Sequence, residues 1–166
     1  MGKIIIPPGS PPLTFRLNSM NKPSEKTRII FMVDDDEDDR KMFQEALQTV
    51  DAAAEFIQAE DGLIAINMLS SQQAFIPDLI FLDLNMPRKD GKQFLSEIRR
   101  IDPSRSIPVI VYTTSKNPRD IEEVKTLGAV QFITKPFFFD DICAAITCAL
   151  AASWKTTKPG AGRVGG

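Results

Sequence analysis

Residues 78–91 read DLIFLDLNMPRKDG. The first half, DLIFLDL at 78–84, is an apolar run of strand length that ends in a carboxylate, and Pro87 and Gly91 then mark a loop. A strand that is apolar at successive rather than alternate positions is covered on both faces, as in a parallel sheet with helices on two sides. After the loop, Phe94, Leu95, Ile98 and Ile101 recur at helical spacing. One β–α unit is therefore legible in this stretch, and it sets the template for the rest.

The template repeats in both directions. IIFMV (29–33) is followed by Met42, Phe43, Ala46, Leu47 and Val50 on one helical face, and EFIQA (55–59) by GLIAINMLSS, which Gly62 opens. PVIVYTT (108–114) leads to Ile121, Val124 and Leu127, with Gly128 where a helix-ending glycine belongs. VQFIT (130–134) leads to Ile142, Ala145, Ile146, Ala149 and Leu150. Five such units predict the α/β class, a doubly wound sheet of five parallel strands. In sheets of this kind the working groups collect beyond the carboxyl ends of the strands.

Composition narrows the chemistry. The 166 residues suit one domain, and no apolar run approaches the ~20 residues of a membrane span. A net charge of −2, from 20 basic and 22 acidic residues, offers no basic surface for nucleic acid. Histidine is absent, which removes His-dependent nucleophiles, His general bases and His-ligated zinc. Cys143 and Cys148 lie five apart in a helical pattern, turned roughly 140° from each other, so they read as two buried, unbridged thiols of a reducing compartment. The short apolar start, MGKIII, is no secretion signal, and the expected location is the cytoplasm. Five prolines among residues 1–26 mark an N-terminal tail, residues 153–166 a Gly- and Pro-containing C-terminal tail, and 27–152 the folded domain.

The strand ends carry the chemistry. Asp34, Asp35 and Asp36 close the first strand, Asp83 the third, Thr113 and Thr114 the fourth, and Thr134 and Lys135 the fifth. Carboxylates brought so close repel one another unless a cation relieves them. An oxygen-only donor set without His or Cys suits a hard ion, and Mg²⁺ suits a site that leaves coordination to water and phosphate. Lys135 and Thr113 would then face the charge of a bound phosphoryl group.

Taken together, VDDDEDD, PDLIFLDLNMPRKDG, PVIVYTTS and GAVQFITKP resemble the receiver domain of two-component response regulators, the CheY-like family, over roughly residues 27–150. The resemblance implies strand order 2-1-3-4-5, the flavodoxin-like arrangement, in a stand-alone regulator. It makes Asp83 the phosphoacceptor, supplied by a histidine kinase or phosphotransfer protein. It implies Mg²⁺ on Asp35, Asp83 and the backbone carbonyl of Asn85, with Asp34 reaching the ion through water. It gives Thr113 and Lys135 to the phosphoryl oxygens, and Thr113 and Phe132 to a switch. Asn85 and Ser115, two positions after Asp83 and Thr113, overhang the approach of hydrolytic water and would tune lifetime. The output would be a separate target protein, with a homodimer through the face of the fourth helix, fifth strand and fifth helix as a further expectation.

Competing readings are weaker. Asp34, Asp36, Asp38 and Glu45 match calcium-loop positions, but Asp39 stands where that loop requires glycine. Gly160 to Gly165 matches G-x-G-x-x-G with no room for the helix that must follow. A haloacid-dehalogenase-like phosphatase needs a second Asp two residues after its nucleophile, and Asn85 stands there. A receiver-like scaffold that is never phosphorylated would not need the full set of site residues. Glu37, Asp38 and Asp39 read as charges that favour a helix N-terminus. Of Phe137, Phe138 and Phe139, at least one must face solvent.

Overall fold

A computed structural model describes residues 27–71, 75–101 and 106–156. The readings placed on residues 1–26 and on the glycine motif at 160–165 lie outside the described residues.

The elements follow the alternating pattern: β1 (Ile29–Val33), α1 (Glu37–Val50), β2 (Glu55–Ala59), α2 (Gly62–Ser70), β3 (Leu79–Leu82), α3 (Gly91–Ile98), β4 (Val109–Thr113), α4 (Pro118–Thr126), β5 (Gln131–Thr134) and α5 (Phe139–Thr156). All strand pairs are parallel, in the order β2-β1-β3-β4-β5. Each strand's alternate side chains enter opposite layers. Phe31, Val33, Ile80, Leu82, Val109 and Val111 pack under α2, α3 and α4, with Phe94, Leu95, Ile98 and Val124. Ile30, Met32, Phe81, Ile110 and Tyr112 pack under α1 and α5, with Phe43, Leu47, Ile142 and Ile146. The ring of Phe43 meets Phe81 at 4.7 Å and Tyr112 at 5.5 Å between centroids, forming a rigid floor one residue short of Thr113 and two short of Asp83.

Local chemistry sets the helix starts. Asp36 caps α1 by accepting from the Asp38 and Asp39 amides, Asp61 caps α2 through the Ile64 amide, and Asp90 and Gln93 form a reciprocal capping box on α3. Asn117 caps α4 with Pro118 in the first turn, and Gly128 takes φ 91° just past its end.

Three details depart from the sequence pattern. Met42 precedes Phe43 by one position, about 100° from it around the helix, and is exposed. Cys143 is half-buried against the α1 and α5 layer, but Cys148 is exposed, because the rotation that keeps the thiols from bridging also turns the second outward. The last helix continues past residue 152 to Thr156. Among the described residues no helix is long and apolar enough to cross a membrane.

Gly91 starts α3 with its N–H donating to the Leu84 carbonyl at 3.1 Å. A Cβ there would run into the carbonyl oxygen of Asp83 and sit 2.8 Å from the Leu84 Cα, both rigid backbone. Gly91→Ala is therefore expected to destabilise the fold by roughly 1–3 kcal/mol, as overpacking does, read as a lowered urea midpoint. A midpoint equal to wild type would show that α3 does not press on the Asp83 backbone.

Candidate functional site

The ladder continues one residue past the strands. The Asp34 amide donates to the Ala59 carbonyl at 3.0 Å, Asp83 to Val33 at 2.9 Å, and Lys135 to Thr113 at 2.9 Å. These bonds fix the backbone of three sequence-distant polar residues side by side at one sheet edge. Asp34, Asp83, Thr113 and Lys135 are all buried, while Asp35 is exposed.

One ammonium serves the carboxylates. Lys135 Nζ lies 2.7 Å from Asp34 Oδ2, 2.7 Å from Asp39 Oδ2 and 3.5 Å from Asp83 Oδ2. Burial alone would lower the lysine's pKa, but the Asp34 carboxylate beside it, with Asp39 and Asp83 behind, pushes it up instead. For Asp34 the balance runs the other way: burial raises its carboxyl to about 6, although Lys135 and the Asp36 amide favour the charged form. The Asp36 amide reaches Asp34 Oδ1 at 3.0 Å, whereas Oδ2 faces Lys135 without an aligned hydrogen bond.

The donor set fits a hard cation. Carboxylate oxygens of Asp34, Asp35 and Asp83 lie within 4.8 Å of one another, and a buried Asp34 oxygen is left without a well-directed donor. Asn85, which is exposed, follows two residues after Asp83, and its amide approaches Asp83 Oδ1 at 3.4 Å.

Two loops flank the cluster, each tied down by contacts that sequence reading missed. In the β3–α3 loop Arg88 adopts φ 66°, a left-handed conformation that costs a bulky residue about 1 kcal/mol or more. Its guanidinium sits 2.5 Å from Asp61 Oδ2, a fully buried carboxylate, and that pairing holds the loop against the start of α2. In the β4–α4 loop the Ser115 hydroxyl donates to Asp120 Oδ2 at 2.5 Å, and Lys92 of α3 donates to Asp120 Oδ1 at 2.8 Å. These bonds from Lys92 and Ser115 hold the Asp120 carboxyl below its usual range. The capping role of Asp61 was readable from Asp before Gly62, but no local signal announces an ion pair with Arg88 or a tie from Ser115 to Asp120. Asp39 does more than favour the helix terminus, because its carboxylate also meets Lys135.

Phe132 pairs across the ladder with Val111, so it shares the face of Thr113, and it packs half-buried on the α2–α4 layer. Phe137 and Phe138 are 85% and 74% exposed, and Phe139 is exposed too, so all three rings of the run face solvent.

The profile of the response regulator receiver domain matches residues 30–147. The response regulator Rcp1 of Synechocystis is 37% identical over 120 residues, covering 70% of this chain and 82% of the relative. The crystal structure of the phosphorylated cyanobacterial phytochrome response regulator RcpA is similar at TM-score 0.72 and 32% identity, covering 80% of this chain and 97% of that one. The Mn²⁺-bound form of Rcp1 is similar at TM-score 0.68 and 33% identity, with the same coverage.

Asp34 gives the site a pH signature. A carboxyl whose pKa rises from 3.8 to about 6 on folding confers stability that is full below the lower value and is lost as pH climbs through the upper one. In chelator-treated buffer the wild type should therefore lose up to roughly 3 kcal/mol relative to Asp34→Asn between about pH 4 and pH 7.5. Urea unfolding of both proteins measures this, and a pH-independent difference would remove the assignment.

Proposed function

The chain belongs to the response regulator receiver domain family of two-component signalling, and on that premise we propose that it is a phosphorylation-operated switch whose phosphoacceptor is Asp83. The observation that carries the reading is the buried convergence of Asp34, Asp83, Thr113 and Lys135 at one sheet edge. The receiver is taken as residues 27–152, with its last helix running on to Thr156, and its signalling role fits the cytoplasm.

The step is a displacement at phosphorus. An Asp83 carboxylate oxygen attacks, the bond from phosphorus to the donor phosphohistidine nitrogen breaks, and the freed imidazole carries the departing electron pair and takes a proton. Asp35, Asp83 and the Asn85 carbonyl would hold Mg²⁺, with Asp34 acting through water, and the ion would supply charge neutralisation for the reaction. Lys135 and Thr113 donate to the phosphoryl oxygens once they are in place, and Thr113 leaves space into which Phe132 turns. Hydrolysis reverses the state: water attacks phosphorus, the bond to Asp83 breaks, and inorganic phosphate leaves. The chain therefore catalyses its own phosphorylation and slow dephosphorylation, and transforms no separate substrate.

The partners are a histidine kinase or phosphotransfer protein upstream and a target protein downstream. RcpA is described as a phytochrome response regulator, which makes a phytochrome-type histidine kinase the first donor to assay. The surface that answers to phosphorylation is the face of α4, β5 and α5, which is also where a homodimer would form. A phosphatase of the haloacid dehalogenase type is disfavoured by Asn85 at the position of its general acid.

Acetyl phosphate or a kinase should label the protein only with Mg²⁺ present, and Asp83→Asn should abolish the label. Stoichiometric labelling of that variant would overturn the site. Lys135→Ala should still accept some label but fail to pass the state to the α4–β5–α5 face in NMR spectra. The lifetime prediction concerns Ser115, whose hydroxyl is turned to Asp120 and too short to hold water over the phosphoryl group. A glutamate there is repelled by Asp120 toward the water's approach, so Ser115→Glu should decay about fivefold faster, the worth of ~1 kcal/mol in orienting one water. A decay time course at fixed Mg²⁺ decides it; equal or slower decay would show that position 115 does not limit water.

A further inference from the structure

Lys135 Nζ donates to Asp39 and, at greater length, to Asp83, and lies 2.7 Å from Asp34 Oδ2 without an aligned hydrogen bond. Asp39 differs in kind from the other two. Its oxygens are not among those that converge on the cation site formed by Asp34, Asp35 and Asp83. It enters from the first turn of α1, where the Asp36 cap fixes the Asp39 backbone by accepting its amide at 3.1 Å. The α1 start is further held by Arg40, which donates to the Asp34 carbonyl at 2.6 Å and to Gln58 at 3.0 Å. The Asp39 carboxylate is thus aimed at the lysine by a pinned helix end, with its own side chain 40% exposed.

This placement sets a competition. Lys135 Nζ lies 2.7 Å from Asp39 Oδ2 and 3.5 Å from Asp83 Oδ2, so a phosphoryl oxygen on Asp83 and the Asp39 carboxylate call on the same ammonium. The Asp34 carboxylate, by contrast, belongs to the candidate cation site. Asp39 has no other cation in the described contacts and keeps its hold. We propose that Asp39 is a positioning residue that competes with the phosphoryl group for Lys135 and so sets how readily the phosphorylated state forms; this rests on Asp83 being the phosphoacceptor. Removing its charge frees the ammonium without touching the oxygens that take the cation or the phosphoryl group.

Beryllofluoride with excess Mg²⁺, titrated into the full chain and followed by calorimetry, tests this. Asp39→Asn should bind the probe roughly threefold to fivefold tighter, a gain in the range of a partly exposed ion pair. Asp38→Asn makes the same change in net charge one residue away and should stay within the error of wild type. The ammonium resonance of Lys135 in NMR should move in Asp39→Asn and not in Asp38→Asn, a response that general loosening of the helix would not give. Unchanged or weaker binding by Asp39→Asn, or equal gains from both variants, overturns the proposal while leaving the phosphoacceptor reading intact. A wild type that ignores beryllofluoride overturns both.

Discussion

A single buried ammonium holds carboxylates from two strand ends and one helix in one place. Without Lys135, Asp34, Asp39 and Asp83 would be like charges with nothing between them to offset their repulsion. The lysine works because its backbone is fixed: its amide continues the β4–β5 ladder, so the side chain enters the pocket from a strand that cannot slide without flipping Phe132 and Ile133 between layers. The electrostatics of the site thus depend on sheet register, and register depends on the apolar alternation of the core.

That dependence explains what was legible in the sequence. The apolar runs ending in Asp34, Asp83, Thr113 and Lys135 place those residues at one edge as soon as five parallel strands are inferred, because the carboxyl ends of parallel strands share an edge. Asp39 escaped because the charge pattern EDD at a helix start has a sufficient local explanation in the macrodipole, and the contact with Lys135 spans 96 residues of sequence. Arg88 with Asp61 escaped for the same reason. Ser115 was noted for its position relative to Thr113, but its orientation toward Asp120 needed α4 in place. Periodicity reports layers; it is silent on which polar side chains meet across loops.

The two flanking loops are anchored in contrasting ways. The β3–α3 loop is anchored by strain and charge together: Gly91 allows α3 to press on the Asp83 backbone, and Arg88 accepts a left-handed conformation to reach a buried carboxylate. The β4–α4 loop is anchored by a chain of hydrogen bonds from Ser115 through Asp120 to Lys92, a lysine on α3. Both anchors converge on α3, which carries Lys92 and begins with Gly91. Helix α3 therefore touches both loops, that bearing Asn85 through Gly91 and that bearing Ser115 through Lys92 and Asp120.

Burying Asp34 opposes folding at neutral pH by roughly 3 kcal/mol at most, a sizeable share of the 5–15 kcal/mol typical of a domain. The fold tolerates it because the cost is confined to one edge while both faces of the sheet are filled beneath it. Phe31, Phe81, Leu82 and Met32 are essentially sealed from solvent within a few residues of the strand ends. The rings of Phe43, Phe81 and Tyr112 pack edge to face under the pocket on the α1 side, so the polar groups rest on a surface that cannot collapse to relieve them. Lys135 supplies one positive charge against Asp34, Asp39 and Asp83, so the pocket keeps an excess of negative charge that a cation would offset. A site that cannot relax internally answers to added charge by exchanging partners, and the partners among which Lys135 is shared are Asp39 at the start of α1 and Asp34 and Asp83 at the ends of the first and third strands.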